Sequence, residues 1–542
     1  FWFMFGYCFL DKLSNLKSIF IPVIFTVLCI TEILYPCELW KQIKIPIIII
    51  GITSIWILYD KFCPKDFEIK KHNVLMKACG FTFFIYLFHE PTLNIIRKIL
   101  FHKRINTARR ISFGFALIIL VGALLLMLPI SSKERVVTPF LSALFTTTSA
   151  TCVTGLTIIN VGAYFSLFGQ AVILFLIQLG GLGFMTILCI VFIVSKRQIG
   201  LRNRMLIAQA MGTESLEGIV KLAKHVLYIT GIIELLGAIV LSIRFVPKYG
   251  FFKGMWFSIF HSVSAFCNAG FDIIGDGNSM LSYRHDPLVL CTLAVLVAIG
   301  GLGFIVWEDI IAKKSWKRLN VYSKVIILAQ IFFIVAGAFV YFILEYGNIN
   351  TIGAESVGQK ILASFFQSVT TRTAGFDALI QNNLTDLSKA WGTVLMMIGG
   401  ASGSTAGGVK LGTVVLVIMT LISVLRGRSD VVIHGRRIAH TTILHAMALL
   451  VLWLVLVVGG SVLISYIDNQ DLINSIYEVA SAYSTVGLSV GVSGSASTFT
   501  KILLIVYMFF GRVGIMTISV VFMTRIRKTN DIRYPECNFI VG

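Results

Sequence analysis

The sequence predicts an all-α membrane protein in which four parallel helix–loop–helix units share one axis, with extra spanning helices ahead of them. Three observations carry that expectation. The 542 residues are 57% hydrophobic and only 13% charged, whereas a soluble domain holds about 25% charged residues. Four short glycine-ended stretches recur along the chain. Basic runs fall between the recurring units. The chain carries 46 Lys and Arg against 26 Asp and Glu, a net charge of +20. Spread in short runs between apolar spans, this excess follows the positive-inside pattern and not the footprint of a nucleic-acid binder. No nucleic-acid partner is expected.

The ten cysteines form no CxxC pair and no metal-like spacing, so they read as buried free thiols. The chain opens on Phe1 inside an apolar run, as though partway through a gene product. It lacks the charged region and cleavage site of a signal peptide.

The repeat organises the rest. Thr148 to Thr157 (TSATCVTGLT), Val263 to Asp272 (VSAFCNAGFD), Ser368 to Asp377 (SVTTRTAGFD) and Ala480 to Ser489 (ASAYSTVGLS) each contain a Gly followed by Leu or Phe. These glycines, Gly155, Gly270, Gly375 and Gly487, lie 115, 105 and 112 residues apart, and an aromatic stands ten residues before each: Phe145, Phe260, Phe365 and Tyr477. A second glycine element follows inside an apolar span, starting at Gly180, Gly300, Gly399 and Gly511. Each unit thus reads as an apolar helix, a short amphipathic stretch and a second apolar helix. First helices are expected near 111–130, 226–244, 325–344 and 443–466, and second helices near 169–194, 288–306, 391–425 and 501–524. At ~20 residues per crossing, each is long enough to span.

The basic links at 195–204, 313–318 and 426–437, the basic run at 103–110 and the exit at 525–533 all share one side, which the positive-inside pattern makes the cytoplasm. Two crossings per unit give every unit the same orientation, unlike the inverted repeats of many secondary transporters. The units are placed at 101–215, 216–320, 321–437 and 438–530. A hydrophobic segment with several spans, 1–100, precedes them, and a cytosolic tail, 531–542, follows.

A segment too short to cross dips into the membrane and returns, which is tolerated only where it lines a cavity or is buried in protein. Gly at the return lets carbonyl oxygens approach a common axis without a Cβ in the way, and rings of carbonyls replace the hydration shell of a cation. Four parallel TM helix–pore loop–TM helix repeats then stand pseudo-four-fold around one ion pore. The alternative for any one glycine is a tight turn or a close helix contact. The filter positions are Val153, Thr154 and Gly155; Asn268, Ala269 and Gly270; Thr373, Ala374 and Gly375; and Thr485, Val486 and Gly487. The loops resemble a potassium-channel filter but share one glycine each rather than a full TVGYG, so selectivity is expected to be looser. Asp272 and Asp377 either attract cations at the outer mouth or cap the following turn.

The third unit departs from the others. Its stretch Gly399, Gly400, Ser402, Gly403, Ser404, Thr405, Gly407, Gly408 packs five glycines into ten residues of an apolar span. At up to ~1 kcal/mol per Gly the helix is expected to break into a loop that gates the pore, with Ser402, Ser404 and Thr405 partnering freed backbone groups. The competing reading is a GxxxGxxxG packing face through Gly399, Gly403 and Gly407. Arg512, near the centre of the last span, faces either the pore, where it raises the barrier to a cation, or a structural ion-pair partner. Lys410 carries a weaker form of the same argument.

At these residues the chain resembles the membrane subunit of the Trk/Ktr/HKT superfamily of potassium transporters, closest to the Ktr type. The resemblance covers about 101–530 and rests on LLLMLPIS near 124–131, TSATCVTGL at 148–156, QLGGLGF at 178–184, FCNAGFD at 266–272, TRTAGFD at 371–377, GGASGSTAGGVK at 399–410 and STVGLS at 484–489. It implies a potassium uptake protein of the bacterial plasma membrane, a homodimer in contact with membrane lipid, controlled by a cytosolic ring subunit that binds nucleotides. It also implies gate roles for the loop at 399–408 and for Arg512. Plant relatives that prefer sodium carry Ser at the first filter glycine. Gly155 stands here, which points to potassium as the transported ion bound at the filter. No cofactor of the chain itself is expected, because neither GGLG element continues as a dinucleotide fingerprint. The basic links, especially 195–225 and 426–437, are either docking surfaces or solvated loops touching anionic lipid.

Residues 1–100 lie outside that resemblance. The stretch FTFFIYLFHEP at 81–91 is similar to the last helices of acyltransferase-3 membrane proteins, which leaves a membrane acyltransferase fragment, with the repeats as scaffold, as a competing function. Such a tail lacks the helix that bears the catalytic His, so His89 and Glu90 read as an interfacial pair and no enzyme activity is expected. A sodium-permeable or sodium-coupled transporter is the other alternative. Growth of an uptake-deficient host on limiting potassium separates the classes: the cation pore is expected to restore it, and a scaffold is not.

Overall fold

The computed structural model describes residues 107–183, 219–275, 279–428, 430–433 and 435–514. The expectations for 1–100, for the links at 195–204 and 195–225, for the exit at 525–533 and for the tail lie outside the described residues.

Among the described residues the chain is helical apart from one short hairpin. In the first unit α1 (Thr107–Met127) leads to the short α2 (Phe140–Thr151), a single turn α3 (Val161–Tyr164) and α4 (Leu167–Leu182). The second holds α5 (Ile219–Tyr249), the short α6 (Phe251–Phe266), α7 (Pro287–Gly301) and α8 (Phe304–Lys313). The third holds α9 (Val321–Glu345), the short α10 (Val357–Thr370), α11 (Asp386–Met397) and α12 (Leu411–Leu425). A hairpin of β1 (Val432–Ile433) and β2 (Arg436–Arg437) pairs Val432 with Arg437 and Ile433 with Arg436. The fourth unit holds α13 (His440–Asp468), the short α14 (Leu472–Tyr483), a turn α15 (Val492–Ser495) and α16 (Thr498–Val513).

Among the described residues three helices are long and apolar enough to cross a membrane, His225–Tyr249, Val321–Glu345 and His440–Asp468, with mean hydropathies of 2.3, 2.6 and 2.8. Their outward faces carry Leu235 and Ile243 on α5, Phe332 and Phe339 on α9, and Val451 and Leu454 on α13, all more than half exposed. In water such faces drive aggregation; in a bilayer they meet lipid.

The second helices differ from expectation. Instead of running ~20 residues, α4, α7 and α16 stop after 15 or 16. At 1.5 Å per residue that is ~24 Å, short of the ~30 Å hydrocarbon core. Gly183 (φ 80°) follows α4, Gly303 (φ 87°) separates α7 from α8, and Gly514 (φ 85°) follows α16. The α7–α8 pair bends by 91° there. The second glycine element is therefore where the helix ends. All four second helices also begin on a polar cap, with Ser166, Asp286, Thr385 and Ser497 accepting from backbone N–H groups of the first turn. Such caps contribute ~1 kcal/mol each.

Packing follows one rule. The second helix of each unit lies against the short helix of the next: α4 on α6, α7 on α10, α11 on α14, and α16 back on α2. The aromatics Phe145, Phe260 and Tyr477 are fully buried within it, while in the third unit Phe366 takes that place and Phe365 is only partly covered.

The first glycine of the second element lets a second helix abut its own short helix. A Cβ on Gly180 would meet the Thr151 carbonyl and lie 2.8 Å from Val153 Cγ2. Gly180→Ala is expected to cost ~1–3 kcal/mol through overpacking and to lower the melting temperature in detergent by several degrees. Gly459→Ala on α13, where nothing lies within 4 Å, should leave it level or slightly higher.

Candidate functional site

Each short helix ends four or five residues before a repeat glycine, with Cys152, Cys267, Thr371 and Ser484 as C-caps. The backbone then makes the same move four times. The residue two before each glycine has positive φ, at Val153 (57°), Asn268 (59°), Thr373 (66°) and Thr485 (52°), and so does the glycine, at Gly155 (96°), Gly270 (66°), Gly375 (78°) and Gly487 (98°). For β-branched Val153, Thr373 and Thr485 this conformation is a true outlier, of the kind held only where the surroundings impose it, at ~1–3 kcal/mol each.

The four loops touch in sequence. A Cβ on Gly155 would lie 2.5 Å from the carbonyl oxygen of Ala269, and one on Gly270 2.6 Å from that of Ala374. One on Gly375 would run into the Val486 carbonyl, and one on Gly487 into the Thr154 carbonyl. Each glycine faces the carbonyl that precedes the next glycine, and the fourth closes on the first. Thr154, Ala269, Ala374 and Val486 are thus brought together with the glycines. The C-terminal ends of four helices stand beside them, and a helix C-terminus carries roughly half a negative charge.

Hydroxyls that the motif reading passed over hold this geometry. Gly155 N–H donates to Ser149 Oγ and Gly487 N–H to Ser481 Oγ, both at 3.0 Å. Ser264 Oγ donates to the Phe271 carbonyl at 2.9 Å and Thr370 Oγ1 to the Phe376 carbonyl at 2.8 Å. All four lie inside the quoted stretches. The third sits five residues before its glycine and the others six, which hid the pattern.

Beneath the ring, the backbone from Ile398 to Lys410 is irregular, so Gly399, Gly403 and Gly407 form no helical packing face. The loop closes on itself through Gly399 N–H to the Val409 carbonyl and Leu411 N–H to the Gly400 carbonyl, both 2.9 Å. It is tied to the break in the second unit by Ala401 N–H to the Gly301 carbonyl and Phe304 N–H to the Gly403 carbonyl, both 2.9 Å. Of the three hydroxyls expected to partner freed backbone groups, Thr405 does so, donating to the Phe266 carbonyl at 3.2 Å. Among the described residues Ser404 Oγ is buried without a partner and the Ser402 side chain makes no hydrogen bond; carbonyls of the second unit take over that work. The loop touches the ring directly, since Gly407 lies under the Thr485 side chain and Gly408 against Ser484.

Arg512 pairs with no carboxylate among the described residues. Its guanidinium donates to the carbonyls of Thr405, Gly180 and Gly181, so the ion-pair reading fails and the charge stays uncompensated by an acid. Lys410 donates to the Ala406 carbonyl at 2.7 Å. A further cation, Arg372, is buried and donates to the carbonyls of Gln330 (3.0 Å) and Gly399 (3.3 Å); its place inside TRTAGFD was the available signal. At the other face of the ring, Asp272 accepts from Ile274 N–H at 3.2 Å, the turn-capping geometry. Asp377 Oδ1 is buried without a hydrogen bond. Among the described residues no group of three or more His, Cys, Asp or Glu could hold a metal ion. The chemistry on offer is that of backbone oxygens.

The pattern that defines the cation transport protein family TrkH matches residues 115–531. The chain belongs to the TrkH family. It is 37% identical over 445 residues to Ktr system potassium uptake protein B of Bacillus subtilis, covering 82% of this chain and 99% of that one. It is 36% identical to the potassium/sodium uptake protein NtpJ of Enterococcus hirae, over 81% of this chain and 98% of that one. The crystal structure of the potassium transporter TrkH from Vibrio parahaemolyticus superposes with a TM-score of 0.63 at 20% identity, over 78% of this chain and 86% of that one; at that identity the likeness is one of fold. The TrkH-family chain is a multi-pass membrane protein of a transporter family and not an enzyme. The family match leaves 1–100 aside.

Ser149→Ala strips the Gly155 N–H of its partner, a loss of ~1–3 kcal/mol for a buried group. In reconstituted vesicles, discrimination between rubidium and sodium is expected to fall, and Ser149→Thr, which keeps the hydroxyl, to retain most of it.

Proposed function

We propose that the chain is the ion-conducting subunit of a potassium uptake system, passing dehydrated potassium through a single pore at the centre of four pseudo-symmetric loops. The observation that carries this reading is the closed order of glycine-to-carbonyl contacts from Gly155 through Gly270 and Gly375 to Gly487. Carbonyl oxygens so placed replace water around a cation without needing a charged ligand, and the C-termini of α2, α6, α10 and α14 add negative potential. The alternation of positive and negative φ at the residues Val153 to Gly155 and their counterparts supports the assignment of Thr154, Ala269, Ala374 and Val486 as donors of ring oxygens. Asp272 caps its turn through Ile274 N–H, and Asp377 places a buried carboxyl beside it at the outer mouth.

The loop Gly399 to Lys410 acts as the gate. Its contacts with Thr485, Ser484 and Asn268 support a position in the path of an ion leaving the ring. Arg512, tied to it through the Thr405 carbonyl, adds an electrostatic barrier. The relative named for a Ktr system supports control by a separate subunit, a nucleotide-binding cytosolic ring acting on a homodimer in the bacterial plasma membrane. The relative named as a potassium/sodium uptake protein favours sodium as a second permeant ion.

Growth of an uptake-deficient host on limiting potassium, with expression checked in the membrane fraction, tests the reading. The parent chain should rescue it. Gly270→Ser and Gly375→Ser place atoms against the Ala374 and Val486 carbonyls and should abolish rescue; full rescue by both would overturn the filter assignment. Arg512→Gln should raise rubidium flux, about tenfold for a barrier lowered by ~1.4 kcal/mol.

A further inference from the structure

We infer that the side chain of Asn268 is a positioning element that latches the intramembrane loop to the filter, so that one amide sets both the geometry of the ring and the closed position of the gate. This rests on the filter and gate reading above and adds to it a role for a side chain where that reading uses only backbone.

Asn268 is buried in the second loop. Its Nδ2 donates to Thr373 Oγ1 of the third loop at 3.2 Å, and its Oδ1, at 3.3 Å from Thr405 Oγ1 of the gate loop, shares the proton of that hydroxyl with the Phe266 carbonyl at 3.2 Å. A primary amide has a donor side and an acceptor side, and here each serves a different partner. Thr405 continues the connection, since its carbonyl accepts from Arg512, which also donates to Gly180 and Gly181. Thr373, Asn268, Thr405, Arg512 and Gly180 thereby link all four units.

The three equivalent positions do not do this. Val153 has no polar side-chain atom, and Thr485 Oγ1 is buried without a partner. Thr373 is itself the acceptor of the Asn268 amide. Room for the latch is made by Gly300, where a Cβ would lie 2.9 Å from both Asn268 Oδ1 and Thr405 Oγ1. An opening movement that carries Thr405 away from the ring must break the Asn268–Thr405 bond, and a filter distortion at Thr373 must move the same amide. Occupancy of the ring and position of the loop are then coupled through one group.

Rubidium uptake by the full chain in liposomes, without any regulatory subunit, tests this. Thr405→Val keeps the shape and removes the hydroxyl; it should raise flux about threefold to tenfold at an unchanged half-saturating ion concentration. Thr405→Ser should return most of the restraint. Asn268→Ala removes both bonds, so it should raise flux and also lower discrimination against sodium. The double variant should exceed neither single in flux by more than about twofold, because the two share the Asn268–Thr405 bond. Where Thr405→Val does not give folded protein, Thr405→Ala reads out the same loss. Flux in Thr405→Val and Thr405→Ala equal to the parent, or fully multiplicative effects in the double variant, would overturn the latch. If Gly270→Ser also conducts like the parent, the filter reading itself is what has failed; if Gly270→Ser is dead while the Thr405 variants match the parent, only the latch has.

Discussion

Between each repeat glycine and the carbonyl of the neighbouring loop there is room for a hydrogen atom and little else. That spacing constrains everything around it. Four backbone segments can approach so closely only if none carries a side chain at the contact, if each turns through left-handed dihedrals twice, and if each is held from behind. Ser149, Ser264, Thr370 and Ser481 supply the holding, by tying an N–H or a carbonyl of the loop to the last turn of the helix that delivers it. The short helices are in turn wedged by the second helix of the preceding unit. Strain at Val153, Thr373 and Thr485 persists because the surroundings leave no alternative.

The same demand explains the second glycine element. Gly180, Gly300 and Gly511 each sit against the carbonyl four residues before a repeat glycine, that of Thr151, Phe266 and Tyr483. In the third unit Gly399 meets its own loop instead, at Gly407. Basic groups near the ring follow one pattern as well: Arg372, Lys410 and Arg512 all donate to carbonyls. Helices that break beneath the ring leave such oxygens unpaired, and they stabilise cationic side chains where an acid would compete with the conducted ion.

Much of this was legible in the sequence. Composition fixed the solvent, and the spacing of Gly155, Gly270, Gly375 and Gly487 marked the loops because backbone contact tolerates no other residue there. The glycine density at 399–408 announced a broken helix for the same reason. The sequence misjudged the second helices, since hydropathy continues through Gly303 while the backbone turns, and hydropathy registers burial and not direction. It also left Arg512 without a partner, because carbonyls are present at every position and leave no mark in a pattern of side chains. Asn268 was noted for its backbone alone; that its amide reaches both the loop and the broken helix of the third unit depends on separations of 105 and 137 residues along the chain, which only the fold brings together.

A ring made from four identical chains would inherit every alteration in quadruplicate. Here the quarters are covalently joined and individually encoded, so each drifts on its own. One has unwound its inner helix, one contributes an amide where its sisters hold valine or threonine, and one supplies the arginine. Tandem linkage permits a division of labour that no homotetramer can adopt.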